Sequence, residues 1–559
     1  MATSLLLSQS QQWQQWQQWQ PLLLALLVSA VSLLLLTRRK WKGRLRLPPG
    51  PAQVPLLGNL HQLGSLPHRA LRDLARLHGP VMQLRLGTAP AVVLSSAEAA
   101  WEVLKVHDLD CCTRPVSPGP RRLTYGLKNV AFAPYGAYWR HIRKLLVVEL
   151  LSARRVKAAW YARQEQVDML MSALLTAAAA RRAVALDEHV LRLSDGVIGT
   201  GVNYTKVPQF GHHMQIDTMI ANFCITSVQL TLGTVAFGSV YASDRFALNE
   251  SFQHALDEAM EMISSTSAED FFPKVIGRLV DRVTGVVARR ERIFWQLDAF
   301  FYMVIEQHLH PERASPPEME NGGDLVDALI AHWKEHRGFT RDHVKAIIFD
   351  TFIVGIDTSS VTILWTMSEL IRKPRVLGKV QAGIRAVAGG NVNGRVLSED
   401  VSKLSYLGMV VKETMRLHPP APLILPRKTM RHIQVAGYDV PAKTRVYVNA
   451  WAIGRDPASW PDNPEEFNPD RFEGSDIDLK GKHPELMPFG TGRRICPGMS
   501  LAMATVEFTL ANLLCCFDWA LPKGMAVDNV SMEEEGRLVF HRKTPLVLVP
   551  TAYVPPWRP

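Results

Sequence analysis

The chain has 559 residues, 47% hydrophobic and 21% charged, a balance that can bury a large core and excludes a disordered tail or a small disulfide-stapled scaffold. Its six cysteines, Cys111, Cys112, Cys224, Cys496, Cys515 and Cys516, show neither a C-x-x-C nor a Cys/His zinc spacing, which points to a reducing compartment. A formal net charge of +11, without a recognition motif or an aromatic-interleaved basic stripe, points away from nucleic acid and towards a membrane surface or an acidic protein partner.

Residues 1–20 carry no charged side chain and read as a lumenal tail, with Trp13, Trp16 and Trp19 placed for a membrane interface. Pro21 to Thr37 is an uninterrupted apolar run, long enough as a helix, at about 1.5 Å per residue, to cross a thin bilayer. Arg38, Arg39, Lys40, Lys42, Arg44 and Arg46 follow at once, so the positive-inside rule leaves the rest of the chain cytosolic behind a single-pass anchor. The alternative is a cleaved signal peptide, which wants its positive charge before the apolar run. Residues 38–51 form a basic, proline-rich hinge, in which Pro48, Pro49 and Pro51 deny both helix and ladder. Residues 52–559 show no Gly/Ser linker and no repeat, and read as one mostly α catalytic domain with a small β part, its early sheet at Val81–Leu86 and Ala91–Leu94.

A long helix is expected from Arg341 to Lys373, with Thr340 as N-cap. Gly355, Asp357, Thr358, Ser359 and Ser360 interrupt its apolar pattern, and the spacing predicts a local bulge turning hydroxyl and carboxylate into an apolar cavity. The competing reading is a small-residue crossing point for another helix. Pro488 to Gly498 then places Cys496 in a glycine-rich turn with two arginines, ahead of a helical pattern. Helix N-terminus and arginines favour an anion, so Cys496 is expected to be a thiolate; for an isolated cysteine the ordinary alternative is an inert buried side chain.

Phe489, Gly492, Arg494, Cys496 and Gly498 make up F-x-x-G-x-R-x-C-x-G, which resembles the haem-binding signature of the cytochromes P450, here of the plant microsomal type. Other motifs agree with that family in order. Glu413 and Arg416 resemble its E-x-x-R helix, with Arg471 completing a buried ion triad; alone, the pair would be a common surface ion pair. Trp139 and Arg143 match its W-x-x-x-R, and the resemblance makes them haem-propionate contacts together with Arg427 and Arg494. It implies haem b held by Cys496 as the axial iron ligand, with Phe489 and Gly498 in the cofactor loop. It gives Thr358 and Asp357 the roles of hydroxyl and acid in oxygen activation. The chain has no Rossmann or flavin motif, so the resemblance also implies electrons from NADPH through a separate cytochrome P450 reductase, on the endoplasmic reticulum membrane.

Stretches such as LKNVAFAPYGAYWR and VKAIIFDTFIVGIDTSS resemble the aldoxime-metabolising members of the family. That resemblance implies dehydration of a small aromatic aldoxime to a nitrile, then hydroxylation beside the nitrile to the α-hydroxynitrile that precedes cyanogenic glucosides. By family position, substrate walls come from the loop Pro118–Val130, from Phe349, Phe352 and Val354, from Ala421–Ile424 including Leu423, and from Gly536–Val539. Val354 departs from the small residue usual there, which narrows the groove. A hydroxylase of another plant metabolite, a catalytically silent haem protein and a reductase-independent dehydratase stand as alternatives.

In the resembled enzymes a segment like Val197–Thr200 runs directly into one like Val235–Gly238, whereas here residues 201–234 intervene, with Gly-Thr on both sides. The segment has neither helix nor strand period and reads as a retained intron, the alternative being an insertion loop. On the retained-intron reading His212 and His213 carry no metal role and Cys224 no structural one. Mass spectrometry should find no peptide from within residues 201–234; one running from Thr200 into Gly201 would establish the loop instead.

Overall fold

The structure, a computed structural model, describes residues 45–158, 160–200, 249–264, 267–310, 325–389, 394–536 and 538–554. The lumenal tail, the apolar anchor, residues 38–44 of the hinge and the segment 201–234 lie outside the described residues.

The proline-rich end of the hinge belongs to the folded body rather than to a spacer. Gln83 N–H donates to the Pro49 carbonyl at 2.7 Å, and Arg46 exchanges two backbone-anchored hydrogen bonds with Asp439 at 2.7 Å each. Prolines suit this docking, because their fixed φ presents carbonyls without needing donors of their own.

Helix α1 (Pro67–His78) leads into the antiparallel pair β1 (Val81–Leu86) and β2 (Ala89–Leu94). There follow α2 (Pro118–Leu123), α3 (Ala137–Leu146), α4 (Trp160–Ala179), α5 (Leu186–Thr200), α6 (Asn249–Ser264), α7 (Lys274–Val283), α8 (Val286–Leu309) and α9 (Leu325–Glu335). The centre is α10 (Arg341–Arg372), succeeded by α11 (Pro374–Ala388), α12 (Ser405–Leu417), β3 (Arg427–Lys428), β4 (Arg445–Val448), α13 (Met499–Cys516), β5 (Phe517–Ala520), β6 (His541–Arg542) and β7 (Val547–Ala552). One sheet runs β1-β2-β4-β3, with β4 parallel to β2 and antiparallel to β3. The early sheet expected from alternation is therefore present, and later chain completes it.

Helix α10, about 48 Å long at 1.5 Å per residue, is capped as its sequence predicts: the Thr340 N–H donates to His343 Nδ1 at 3.0 Å in a reciprocal capping arrangement. Its first half packs Ile347, Ile348 and Phe349 into one core with α8 and α9, and its second half packs Ile363, Met367 and Leu370 into another with α12 and α13. A helix apolar on all sides is a buried one; α10 and α13 are long and apolar enough to cross a membrane, yet both lie within the domain. The expected bulge is absent. The helix is continuous through Gly355–Ser360, and hydroxyls bend back to carbonyls one turn earlier, Ser360 to Ile356 at 3.0 Å and Thr362 to Thr358 at 2.9 Å. Both of these hydroxyls are satisfied without opening the ladder.

Residues Glu413, Arg416 and Arg471 come together. Arg416 donates Nε and Nη2 to the two Glu413 oxygens at 2.7 and 2.8 Å, and Arg471 Nε donates to Oε1 at 3.0 Å. The side chains of Glu413 and Arg416 are fully buried, and Arg416 reaches on to the carbonyls of Pro464 and Glu466 at 2.6 and 3.0 Å. The pair thus pins the segment 464–471 to α12. Glu413→Ala leaves two guanidinium groups without their carboxylate, and chemical denaturation should show a loss of roughly 3–5 kcal/mol.

Candidate haem and oxygen site

The cysteine loop folds around glycines because nothing larger fits. Gly492 has φ +70°, and a Cβ there would stand 2.3 Å from the Leu104 carbonyl oxygen. Thr491 Oγ1 donates to Gly481 O at 2.6 Å and the Cys496 N–H to Phe489 O at 2.9 Å, which closes the turn just before α13. The two arginines beside the cysteine do not point their charge at sulfur. Arg493 pairs with Asp108 at 2.8 Å, while Arg494 donates to the carbonyls of Cys112, Val130 and Ala133 at 2.8, 3.1 and 2.5 Å. Burial pushes the Cys496 thiol above its ordinary value, against the opposing pull of the Gly498 and Met499 N–H groups and of Arg143. Burial thus opposes the thiolate expected from loop and helix, and a metal ion at the sulfur would favour it.

One cavity contains Cys496, Phe489 and Gly498 on one wall and Gly355, Thr358, Ser359 and Thr362 of α10 on another. The helix repeat decides which of its residues face inward: Thr351, Gly355, Thr358 and Thr362 recur every three to four positions. Phe349 and Phe352 fall on the neighbouring stripe, each 1% exposed in the core shared with α8, and neither is on the cavity wall. Leu423 likewise packs towards the β1-β2 sheet, while Ala421, Ile424 and Leu425 line the cavity. The Val354 side chain lies outside the described ones.

Three guanidinium groups border the cavity: Arg114, Arg143 and Arg494. Arg143 donates to Ile495 O at 2.6 Å, and Arg114 to Ala131 O and Pro426 O at 3.1 and 3.0 Å. Burial lowers all three, Arg494 to about 10, and mutual repulsion lowers Arg114 and Arg494 further. Carbonyls are their hydrogen-bond acceptors, since Asp108 is engaged by Arg427 at 2.7 Å and by Arg493. A ligand carrying carboxylates between these cations, apolar faces between the walls and a metal above sulfur suits the donor set. Haem b has those three properties, and the residues present fit it. Trp139 and Arg427 are not on the cavity wall: the buried indole donates to Val130 O at 3.0 Å under the Arg494 guanidinium, and Arg427 also donates to Thr491 O at 2.6 Å. Both brace the loop that presents Arg494.

Two residues and one contact escape a reading by motif: Arg114, Asp350 and the partner of Asp357. Arg114 resembles any surface arginine until β3 and the cysteine loop close over it. Asp357 sits one position from the Thr358 wall and meets His541 on β6, Oδ2 to Nε2 at 3.0 Å; 184 residues separate the two. Asp350 is 7% exposed and lines the cavity, accepting from Asn129 Nδ2, Val130 N and Ala131 N at 2.6, 2.6 and 3.0 Å. The signal in its case was a carboxylate in an apolar helical run.

The family profile described as cytochrome P450 matches residues 48–200 and 205–549. A 4-hydroxyphenylacetaldehyde oxime monooxygenase of Sorghum bicolor is 60% identical over 557 residues, 98% of this chain and 97% of the relative. A 2-methylbutanal oxime monooxygenase of Manihot esculenta is 42% identical over 98% of this chain and 99% of its own length. Among solved structures, a zebrafish cytochrome P450 with progesterone superposes at a TM-score of 0.68 with 24% identity, covering 87% of this chain and 99% of that one. At that identity the likeness speaks for the fold alone.

Burial raises Asp350 to about 6 despite its three donors. A carboxyl held above its unfolded value binds its proton more tightly when folded, so its contribution to stability is complete below about pH 4 and is lost as pH rises through about 6. Stability measured from pH 4 to 7 should fall more steeply with pH in the parent than in Asp350→Asn; identical slopes would remove the assignment.

Proposed function

The chain belongs to the cytochrome P450 family and is a monooxygenase, and from that premise we propose that it converts an aromatic aldoxime, 4-hydroxyphenylacetaldehyde oxime, through the nitrile to the α-hydroxynitrile. The observation that carries this reading is 60% identity to the Sorghum oxime enzyme over nearly the whole of both chains. A second relative whose name also specifies an oxime supports the class of substrate.

Haem b held through the Cys496 sulfur would supply the redox chemistry of oxygen insertion, its electrons drawn from NADPH through a separate reductase. The chain's own residues bind, brace and move protons. Arg114, Arg143 and Arg494 take the carboxylates of the cofactor, while Trp139, Arg427 and Asp108 hold the surrounding loops. Apolar Val130, Ala421, Ile424 and Leu425 leave room for an aromatic ring and exclude water.

In the first reaction, R–CH=N–OH loses water to give R–C≡N: the C–H proton leaves, the N–O bond breaks and the departing hydroxyl takes up a proton. In the second, oxygen is inserted into a C–H bond beside the nitrile, and two protons and two electrons turn the other oxygen atom into water. Both need a proton donor, and of the hydroxyls on the α10 wall, Thr351, Thr358, Ser359 and Thr362, we assign the role to Thr358 Oγ1, next in the chain to Asp357. Behind it Asp357 is held by His541, whose side chain is about one-third exposed; the pair offers protons a route from bulk water to the cavity.

Localisation follows the same reasoning: the apolar run 21–37 anchors the chain in the endoplasmic reticulum membrane. The family match is interrupted at residues 201–204 only and resumes at 205; the reading of 201–234 as retained intron rests on its lack of helix or strand period and on the Gly-Thr pair on both sides, with 52–559 otherwise a single catalytic domain.

Microsomes containing this chain and a plant reductase, given 4-hydroxyphenylacetaldehyde oxime, should yield nitrile and α-hydroxynitrile by liquid chromatography; hydroxylation of other phenolics without nitrile would overturn the proposal. Cys496→Ser should lose the thiolate-type Soret band of the reduced, carbon monoxide-bound protein. Thr358→Ala should keep that band while hydroxylated product per NADPH consumed drops at least about tenfold.

A further inference from the structure

A second cavity, of about 1020 Å³, shares no lining residue with the cysteine cavity. It lies among α2, α7, α8, the start of α10 and the β3-β4 edge of the sheet, and nine basic side chains line it against four carboxylates. The carboxylates are all engaged. Glu291 accepts from Arg122 Nη2 at 2.7 Å, Asp298 from Tyr125 and Lys345 at 2.8 and 2.7 Å, Asp342 from Lys128 at 2.7 Å, and Glu269 from Arg278 at 3.2 Å. Arg445 is paired with Asp270 at 3.2 Å.

That leaves Arg121, Lys274, Arg290, Lys428 and Lys443, which make no side-chain hydrogen bond or ion pair among the described residues. Four of them could be satisfied by water. Arg290 is different: it is 9% exposed, and its Nη1 is buried with no acceptor. A buried guanidinium nitrogen left unpaired is costly, and an anion is one partner that would complete it. Burial and the charges of Arg445 and Lys443 hold the Lys428 ammonium below its ordinary value, a sign that positive potential accumulates in the cavity. The Arg122 guanidinium carbon stands 3.4 Å from the Phe294 ring centroid, which places an aromatic wall beside the cations.

We propose that this cavity binds a net-anionic terminal phosphate group, free or as a monoester, with Arg290 and Lys428 as its principal donors. A phosphoryl group offers several anionic acceptor oxygens to donors arriving from different elements, and so suits Arg290 from α8 together with Lys428 from β3. The site is independent of the oxime chemistry and would stand if that reading failed. Two sources share this chemistry, a soluble phosphate and a lipid headgroup. The lipid has local support, because α7 sends Lys274 and Arg278 into the cavity while Val275, Leu279 and Val283 on the same helix are 83%, 62% and 79% exposed.

The test is calorimetric titration of the full-length, haem-loaded protein in detergent at physiological salt, with inorganic phosphate, dihexanoyl phosphatidic acid and dihexanoyl phosphatidylcholine as separate probes. Saturable binding of phosphate or of phosphatidic acid, weakened at least about tenfold in Lys428→Gln and in Arg290→Gln, is the expected result, equivalent to about 1.4 kcal/mol or more. Tighter binding of phosphatidic acid than of phosphate assigns the site to a lipid headgroup, and equal binding assigns it to the free anion. Absence of binding by both anionic probes, equal binding of the choline lipid, or unchanged affinity in both variants overturns the proposal. Arg290→Lys, which keeps the charge, should recover part of the affinity, and haem content read from the Soret band verifies that each variant is folded.

Discussion

A buried guanidinium must find acceptors for its planar set of donors, and Arg494 finds them on three carbonyls from two stretches of chain, Cys112 and 130–133. Those stretches lie more than 360 residues before it, so one side chain joins the cysteine loop to the loop ahead of α3. Around it the same demand recurs: Trp139 donates to Val130, Asp350 gathers Asn129, Val130 and Ala131, and Arg114 ties Ala131 to Pro426. The cavity wall opposite α10 is held by polar side chains satisfying backbone groups, and the charge left over is positive. A cofactor bearing carboxylates completes that arrangement rather than intruding on it.

Helix α10 does two things at once. Apolar residues around most of its circumference make it the shared spine of two cores, and a narrow face of Gly355 and threonines keeps one side open to the cavity. Hydroxyl groups can stand on that face because each can return its proton to the carbonyl one turn back. Proton delivery and structural continuity therefore do not compete, and the helix needs no break to present Thr358.

Local pattern was sufficient for several features. Alternation located β1 and β2, the absence of proline with Thr340 as cap located α10, and the three-residue spacing of Glu413 and Arg416 placed both on one helix face. Cys496, Phe489 and Gly498 line one cavity, because the loop that carries them spans only ten residues. Reading by family position put Phe349 and Phe352 in the substrate wall, and the helix repeat turns them one stripe away into the core.

The sequence alone determined what depends on near neighbours: the apolar run 21–37, the long helix, the glycine-bound cysteine turn and the family to which they point. Tertiary structure decided what depends on residues hundreds of positions apart, namely that His541 meets Asp357, that Arg114 joins the cationic border, that Asp350 is buried, and that Arg290 is left unpaired. The physical reason is that burial and charge pairing are properties of enclosed space. A chain reveals its donors and acceptors in order, but only packing settles which of them share a volume from which water is excluded.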